Sequence, residues 1–231
     1  MKTNKLAARL ATAALLTAIA TNAAAEQSGW FLGVQSDTKN LTNCSTDIDT
    51  SSSPYYDYAN YNSNPQISIL GGYKKFFSPK LGARFYGILN YSHANTKING
   101  ADDYKGNSFS LDANADFLFD FVSSESLDFG GFVGIELGYG NSGWERVANY
   151  YSSYEYKGTG YSFEGGANVG IRVNFGQRHG LELVNYLGYV VSRSKYDYFY
   201  YAYSSSPTYN PSSHTTKTFH QQIRLRYILS F

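Results

Sequence analysis

Ser92 and His93 are neighbouring residues whose side chains could serve as a nucleophile and a general base. Hydrolysis by such a pair requires the imidazole within hydrogen-bonding distance of the hydroxyl, with an acid to orient it. Both residues belong to a segment of alternating character from Leu81 to Asn95, which is typical of a β-strand. Because successive side chains of a strand point to opposite faces, the two groups would not meet. The sequence therefore predicts no enzyme.

Other side chains with possible chemistry are scattered along the chain. His179, His214 and His220 do not have a metal-binding spacing with one another, and Cys44 is the sole cysteine, which excludes an internal disulfide and a thiolate cluster. No glycine-rich loop follows a strand and opens a helix, so nucleotide binding is not predicted. We expect no cofactor, and an inert thiol at Cys44 with intermolecular pairing as the alternative.

The last residues of the chain alternate in character. One phase is apolar throughout, whereas the other contains Arg224 and Arg226. A strand that is apolar outside and polar inside predicts the closing strand of a β-barrel in lipid, although an amphipathic edge strand of a soluble sheet has the same period. The apolar residues also resemble the C-terminal signal that the outer-membrane assembly machinery recognises. These residues are Ile223, Leu225, Tyr227, Leu229 and Phe231.

The first residues predict export. Lys2, Lys5 and Arg9 precede an apolar stretch, and the alanines at 23–25 suit a signal peptidase, so we predict a cleaved secretory signal over residues 1–25 and one barrel domain over residues 26–231. Cleavage leaves 16 basic and 18 acidic residues. This near-neutral balance gives no indication of a nucleic-acid partner.

Eight segments alternate between apolar and polar residues with a period of two, which predicts eight β-strands. The fourth shows the pattern most clearly, because apolar residues occupy every second position from Phe109 to Phe121. The facing of the seventh is left open, since Glu182 and Asn185 fall in opposite phases. The predicted strands span residues 28–37, 66–77, 81–95, 109–121, 129–139, 161–175, 181–195 and 221–231.

The connections between these strands alternate in length. Long polar stretches at 38–64, 96–106, 141–157 and 196–216 alternate with short turns near residues 79, 125 and 178. Long extracellular loops and short periplasmic turns are typical of bacterial outer-membrane barrels. The predicted fold is therefore all-β, a transmembrane antiparallel up-and-down barrel of eight strands in the outer membrane, in contact with its lipid and lipopolysaccharide and inserted by the barrel assembly machinery.

Charged residues fall in the phase that would face the barrel interior. An eight-stranded barrel is just wide enough to be filled by side chains, and buried charges are costly unless they are paired. We therefore predict a plug of ion pairs, with a small porin-like channel as the alternative. The predicted lumen network comprises Arg84, Asp112, Asp116, Glu136, Glu164, Arg172, Arg224 and Arg226.

Several segments resemble the outer-membrane proteins of Helicobacter and its relatives, a family that includes adhesins and porin-like members. The matching segments are residues 81–91 (LGARFYGILNY), 131–144 (GFVGIELGYGNSGW), 168–175 (NVGIRVNF), 179–183 (HGLEL) and the closing strand. The resemblance implies an outer-membrane barrel. It does not imply receptor binding, because this chain lacks the long N-terminal extracellular domain with paired cysteines of the large adhesins.

Tyrosines cluster with serine and asparagine in the predicted loops, a composition that antibodies use for adaptable contact surfaces. We expect a structural or adhesin-like surface protein that contacts a host ligand or glycan. A porin-like channel and, less favoured, a lipid-modifying barrel enzyme are the alternatives, and an interfacial aromatic girdle would also explain tyrosines. The predicted contact residues are Tyr55, Tyr56, Tyr58, Tyr154, Tyr156, Tyr198, Tyr200 and Tyr201.

Overall fold

The computed structural model describes residues 28–37, 42–47, 66–98, 102–123, 127–147, 154–176, 178–200 and 208–231. The predicted signal segment, residues 1–25, lies outside them. The described residues form the strands β1 (Gly29–Asp37), β2 (Thr42–Asp47), β3 (Ile67–Ser78), β4 (Leu81–Ile98), β5 (Asp102–Ser123), β6 (Leu127–Val147), β7 (Tyr154–Phe175), β8 (His179–Tyr200) and β9 (Thr208–Ser230). No helix in this part of the chain is long and apolar enough to cross a membrane.

Eight of these strands form a closed antiparallel ring. Each pairs with its neighbour in the order β1, β3, β4, β5, β6, β7, β8, β9, and pairing of β1 with β9 closes the ring. The predicted eight-stranded up-and-down barrel is therefore confirmed. The short strand β2 was not predicted; it pairs with β9 from Thr216 to Gln221, beyond the point where Asp37 ends β1 opposite Arg224. β2 thus covers backbone groups of β9 that β1 is too short to reach.

The strands are staggered around the ring. Starting at Ser36 on β1 and moving from each residue to its partner on the next strand, one goes around the ring and reaches Thr215 on β9. The direct pairing of β1 with β9 instead sets Ser36 opposite Leu225, which is ten positions further along β9. Such a stagger tilts the strands of a barrel by roughly 40°. We call the end with the connections near residues 79, 125 and 178 the turn end, and the opposite end the loop end.

The strands extend further toward the loop end than the sequence predicted. β6 continues to Val147 and β7 begins at Tyr154, so most of the predicted loop 141–157 is a paired hairpin. The predicted loops 96–106 and 196–216 are likewise mostly strand, because β4 ends at Ile98 and β8 at Tyr200. The apolar band ends where the alternation of apolar and polar residues stops. Backbone pairing does not require this alternation, so the strands continue beyond the band.

An apolar band surrounds the outside of the ring. Its side chains are exposed, as expected for contact with lipid, and Ile67 and Leu137 are 70% and 66% accessible. Rings of aromatic side chains border the band, and we call them the loop-end girdle (Tyr91, Phe109, Tyr139, Tyr161, Phe163, Tyr189, Phe219) and the turn-end girdle (Trp30, Tyr73, Phe77, Phe121, Phe129, Phe175, Phe231). On β8, the facing left open by the sequence is resolved, because Glu182 is buried in the interior and Asn185 lies in the outward phase.

Candidate functional site

Arg84 lies at the centre of the turn-end half of the interior. Its Nε donates to Asp116 Oδ2 over 2.8 Å, and its two terminal nitrogens donate to the two carboxylate oxygens of Glu182, with 2.9 Å for the Nη2 bond. All three side chains are nearly inaccessible. The strand period accounts for this meeting, because every second residue of β4, β5 and β8 points inward. Two carboxylates and one guanidinium thereby cross-link three strands through the lumen.

Tyr86 connects this group to Arg226. Its hydroxyl accepts a hydrogen bond from Arg226 Nη1 over 2.7 Å and donates to Asp116 Oδ2 over 3.0 Å. Arg226 Nε also donates to Gln35 Oε1 over 2.5 Å, whereas its Nη1 is 3.9 Å from Glu182 Oε2. Charged and neutral partners therefore share the stabilisation of Arg226.

A third arginine closes the network near the turn end. Arg172 Nη2 donates to Asp120 Oδ1 over 2.7 Å, and its guanidinium carbon lies 5.3 Å from the centre of the Phe76 ring. Nearby, Lys74 Nζ donates to Ser230 Oγ over 2.6 Å and joins β3 to β9. The basic side chains of this half all have oxygen partners.

Apolar side chains fill the space between the ion pairs. They form two buried clusters, of which one comprises Phe31, Leu70, Tyr86, Ile88 and Ile228 and the other Leu118, Phe132 and Val184. A glycine makes room for the Phe132 ring, because a Cβ atom at Gly170 would lie 2.6 Å from Phe132 Cε1. The turn-end half of the lumen is therefore packed like a protein core.

The loop-end half of the interior is more acidic. Arg224 Nη1 donates to both carboxylate oxygens of Glu136, over 3.0 and 2.7 Å, and the guanidinium carbon lies 3.9 Å from the centre of the Tyr186 ring. Asp37 Oδ1 is 4.0 Å from Arg224 Nε. Glu164 Oε1 instead lies 3.1 Å from His220 Nε2.

Within the described part of the chain, Asp112 is contacted by an amide and not by an arginine. Asn90 Nδ2 donates to Asp112 Oδ2, and Asn90 Oδ1 accepts a hydrogen bond from Ser68 Oγ over 2.5 Å. Among the described lumen residues, the loop-end half thus has four acids facing one arginine and one histidine, whereas the turn-end half has four acids and four bases. The loop-end acids are Asp37, Asp112, Glu136 and Glu164, and the turn-end charges are Lys74, Arg84, Arg172, Arg226, Asp116, Asp120, Asp128 and Glu182.

The structure brings together only part of the predicted lumen network. Two ion pairs form within the predicted set, Arg84 with Asp116 and Arg224 with Glu136. Arg172 pairs with Asp120. Asp120 lies in the inward phase of the fourth predicted strand, so the sequence pattern alone would have allowed it to be added to the predicted lumen network. Glu182 was missed because the polar Asn185 obscured the facing of its strand. His220 was missed because nothing in the sequence places it opposite a carboxylate.

Ser92 and His93 do not meet. Ser92 Oγ lies 2.6 Å from Ser108 Oγ, and the exposed His93 Nδ1 lies 2.7 Å from Asn107 Oδ1. The two side chains therefore contact different residues of β5. Among the described residues, no group of three or more histidine, cysteine, aspartate or glutamate side chains could hold a metal ion.

The predicted tyrosine contacts are only partly covered by the structure. Tyr55, Tyr56, Tyr58 and Tyr201 lie outside the described residues. The other four are not in loops as predicted but in the paired extensions of β7 and β8, where the register sets Tyr154 opposite Tyr200 and Tyr156 opposite Tyr198. In the closing strand, the predicted insertion signal lies in the outward phase, with Leu225 and Phe231 exposed and Ile223, Tyr227 and Leu229 half-buried.

Three solved structures are similar to this chain at low identity. OprG from Pseudomonas aeruginosa is 12% identical with a TM-score of 0.48, and the match covers 89% of this chain and 97% of OprG. A major outer membrane protein from Thermus thermophilus is 14% identical with a TM-score of 0.42, covering 87% of this chain and 99% of that protein. AlkL, solved in lipid bilayers, is 14% identical with a TM-score of 0.39, covering 92% and 95%. No curated protein matches the sequence.

The family comparison is more informative. Residues 68–223 match the family described as Helicobacter outer membrane protein. The match covers about two thirds of the chain and runs from β3 into β9, so it includes most of the ring and the lumen arginines Arg84 and Arg172, whereas Arg224 and Arg226 follow its end. The chain therefore belongs to the Helicobacter outer membrane protein family.

Proposed function

We propose that this outer-membrane barrel is a closed scaffold that presents its loop end to the cell exterior for surface interactions. The observation that carries the proposal is the packing of the turn-end half of the lumen by Arg84, its two carboxylate partners and the apolar clusters. Side chains of the described residues fill this half of the barrel, which supplies a rigid support for the loop end. On this proposal the protein has neither a transport nor a catalytic role.

Conductance in planar bilayers tests the closed lumen. We expect the purified protein to give no steady openings, because buried ion pairs and aromatic rings occupy the lumen. As a positive control, a variant with both Tyr86→Ala and Phe132→Ala removes two large rings from the packed half and should conduct. The acidic excess of the loop-end half predicts that this conductance favours cations.

Steady, ion-sized openings of the wild-type protein would contradict the closed scaffold. They would support the porin-like alternative instead.

The tyrosine-rich extensions are the proposed recognition surface. Tyrosine supplies a large contact area at low cost in conformational entropy, and paired strands hold it more rigidly than free loops would. The paired positions 154 with 200 and 156 with 198 lie beyond the loop-end girdle, at the end of the barrel that we place outside the cell. A host glycan or protein is the proposed class of ligand.

Replacing Tyr154, Tyr156, Tyr198 and Tyr200 together with threonine tests this surface. Threonine suits a strand but has no ring, so the hairpin should persist while binding to an array of defined glycans and host matrix proteins falls at least tenfold. The matched control replaces the girdle residues Tyr139 and Tyr189 with phenylalanine and should bind as the wild type does. Equal binding by the threonine variant would exclude these four residues as the contact surface.

A further inference from the structure

Asn185 on β8 and Gln221 on β9 form a hydrogen-bonded amide pair on the outside of the barrel. Gln221 Nε2 donates to Asn185 Oδ1 over 2.8 Å, and both side chains are half-buried. Asn185 lies between Leu183 and Leu187 along its strand, on the turn-end side of the loop-end girdle residue Tyr189. The pair is therefore placed in the apolar band.

Among the described residues, polar side chains that point outward between the two girdles lie on one side of the ring. Between the two girdles, the outward positions of β4, β5, β6 and β7 hold apolar residues, glycine or alanine among the residues that the structure describes. The polar outward residues, Asn185, Gln221 and Ser36, lie on the adjacent strands β8, β9 and β1. This lateral face differs from the rest of the lipid-facing surface.

Among the side chains that the structure describes, the amide pair has hydrogen-bonding groups that its mutual bond does not use. Each amide can donate two hydrogen bonds and accept two, but the bond between Asn185 and Gln221 uses one donor and one acceptor site. Acyl chains provide no partner for the remaining groups, and such groups are costly to leave unsatisfied in hydrocarbon. A polar pair facing lipid is therefore better satisfied by protein.

A second copy of the same chain suits this surface. Across a two-fold axis along the membrane normal, the Asn185 amide nitrogen of each copy would face the Gln221 carbonyl oxygen of the other, so the surface is self-complementary. The outward residues of the neighbouring β7 are small, with Ala167 opposite Leu187 and Gly165 opposite Tyr189. Small residues allow two membrane surfaces to approach closely.

We propose that the barrel forms a homodimer in the membrane through the face around Asn185 and Gln221. The interface is isologous, since each copy contributes the same amide pair and the same β7 to β9 surface. It is separate from the lumen and from the tyrosine-rich extensions, so both copies keep their loop ends free.

Energy transfer between donor- and acceptor-labelled copies in liposomes at a fixed protein-to-lipid ratio tests the dimer. We expect transfer above that of randomly placed barrels, and an increase of about tenfold or more in the dissociation constant for Asn185→Leu with Gln221→Leu. The control variant, Leu89→Ile with Leu111→Ile on the opposite side, should dimerise as the wild type does. Heat-modifiable gel mobility shows that each variant is folded.

Cysteine cross-linking locates the interface independently. In a Cys44→Ser background, Leu187→Cys should give disulfide-linked dimers under mild oxidation, because Leu187 lies opposite Gln221 and two positions from Asn185. Leu111→Cys should remain monomeric. Random-level transfer by the wild type, or unchanged transfer and cross-linking when both amides are leucine, would overturn the proposal.

Discussion

Replacing Arg84 with methionine is expected to lower the free energy of unfolding by about 3–5 kcal/mol, because Asp116 and Glu182 would be left buried without the cation that hydrogen-bonds to both. Methionine keeps much of the side-chain volume, so the loss of charge dominates the effect. Both carboxylates are almost inaccessible to solvent, which excludes relief by water. Urea unfolding in detergent micelles, followed by tryptophan fluorescence, measures the change.

Removing the whole charged group tests the cause of that loss. Combining Arg84→Met with Asp116→Asn and Glu182→Gln should recover most of the lost stability, because neutral groups of similar volume are far less costly to bury. Lys105→Met, at an exposed outward position, serves as the control and should leave the unfolding midpoint unchanged. A triple variant as unstable as the single one would mean that packing, rather than charge, explains the effect.

Replacing Gly72 with alanine is expected to destabilise the barrel by about 1–3 kcal/mol or more, because the added methyl group has no room. Its Cβ would lie 2.5 Å from Tyr86 Cβ and 2.6 Å from Tyr86 Cα, and closer still to the Phe85 carbonyl oxygen. These atoms belong to the backbone and first side-chain atom of β4, so a rotamer change cannot relieve the clash. The strands β3 and β4 would have to separate locally.

Gly87 provides a matched control for Gly72. It lies on β4 in the outward phase, and a Cβ atom there would meet only the Asp112 carbonyl oxygen, at 3.8 Å. Gly87→Ala should therefore fold with wild-type stability. Both variants can be compared by the fraction that reaches the folded, heat-modifiable form after refolding into detergent. If Gly72→Ala refolds as fully as Gly87→Ala, the close approach of β3 to β4 is wrong.

The antiparallel ring could be predicted from the sequence because strand alternation is a local property. The two faces of the segment from Phe109 to Phe121 are defined by the alternation of neighbouring residues alone, and the number of such segments gives the number of barrel strands. The strand ends could not be predicted, since residues such as Tyr154 and Tyr200 are paired beyond the apolar band, where neither face has an apolar signal. The strand β2 could not be predicted either, because its pairing depends on how far β9 extends beyond the end of β1.

Strand alternation defines the inward positions, so the sequence is enough to assign Arg84, Asp116, Glu136 and Arg224 to the lumen. Which carboxylate each arginine meets was decided by the tertiary structure alone. Partners on distant strands depend on the ten-residue stagger and on closure of the ring, and neither is encoded in a local pattern. The register between β8 and β9 also placed Asn185 beside Gln221 on the lipid-facing surface, a pairing that alternation along either strand does not predict.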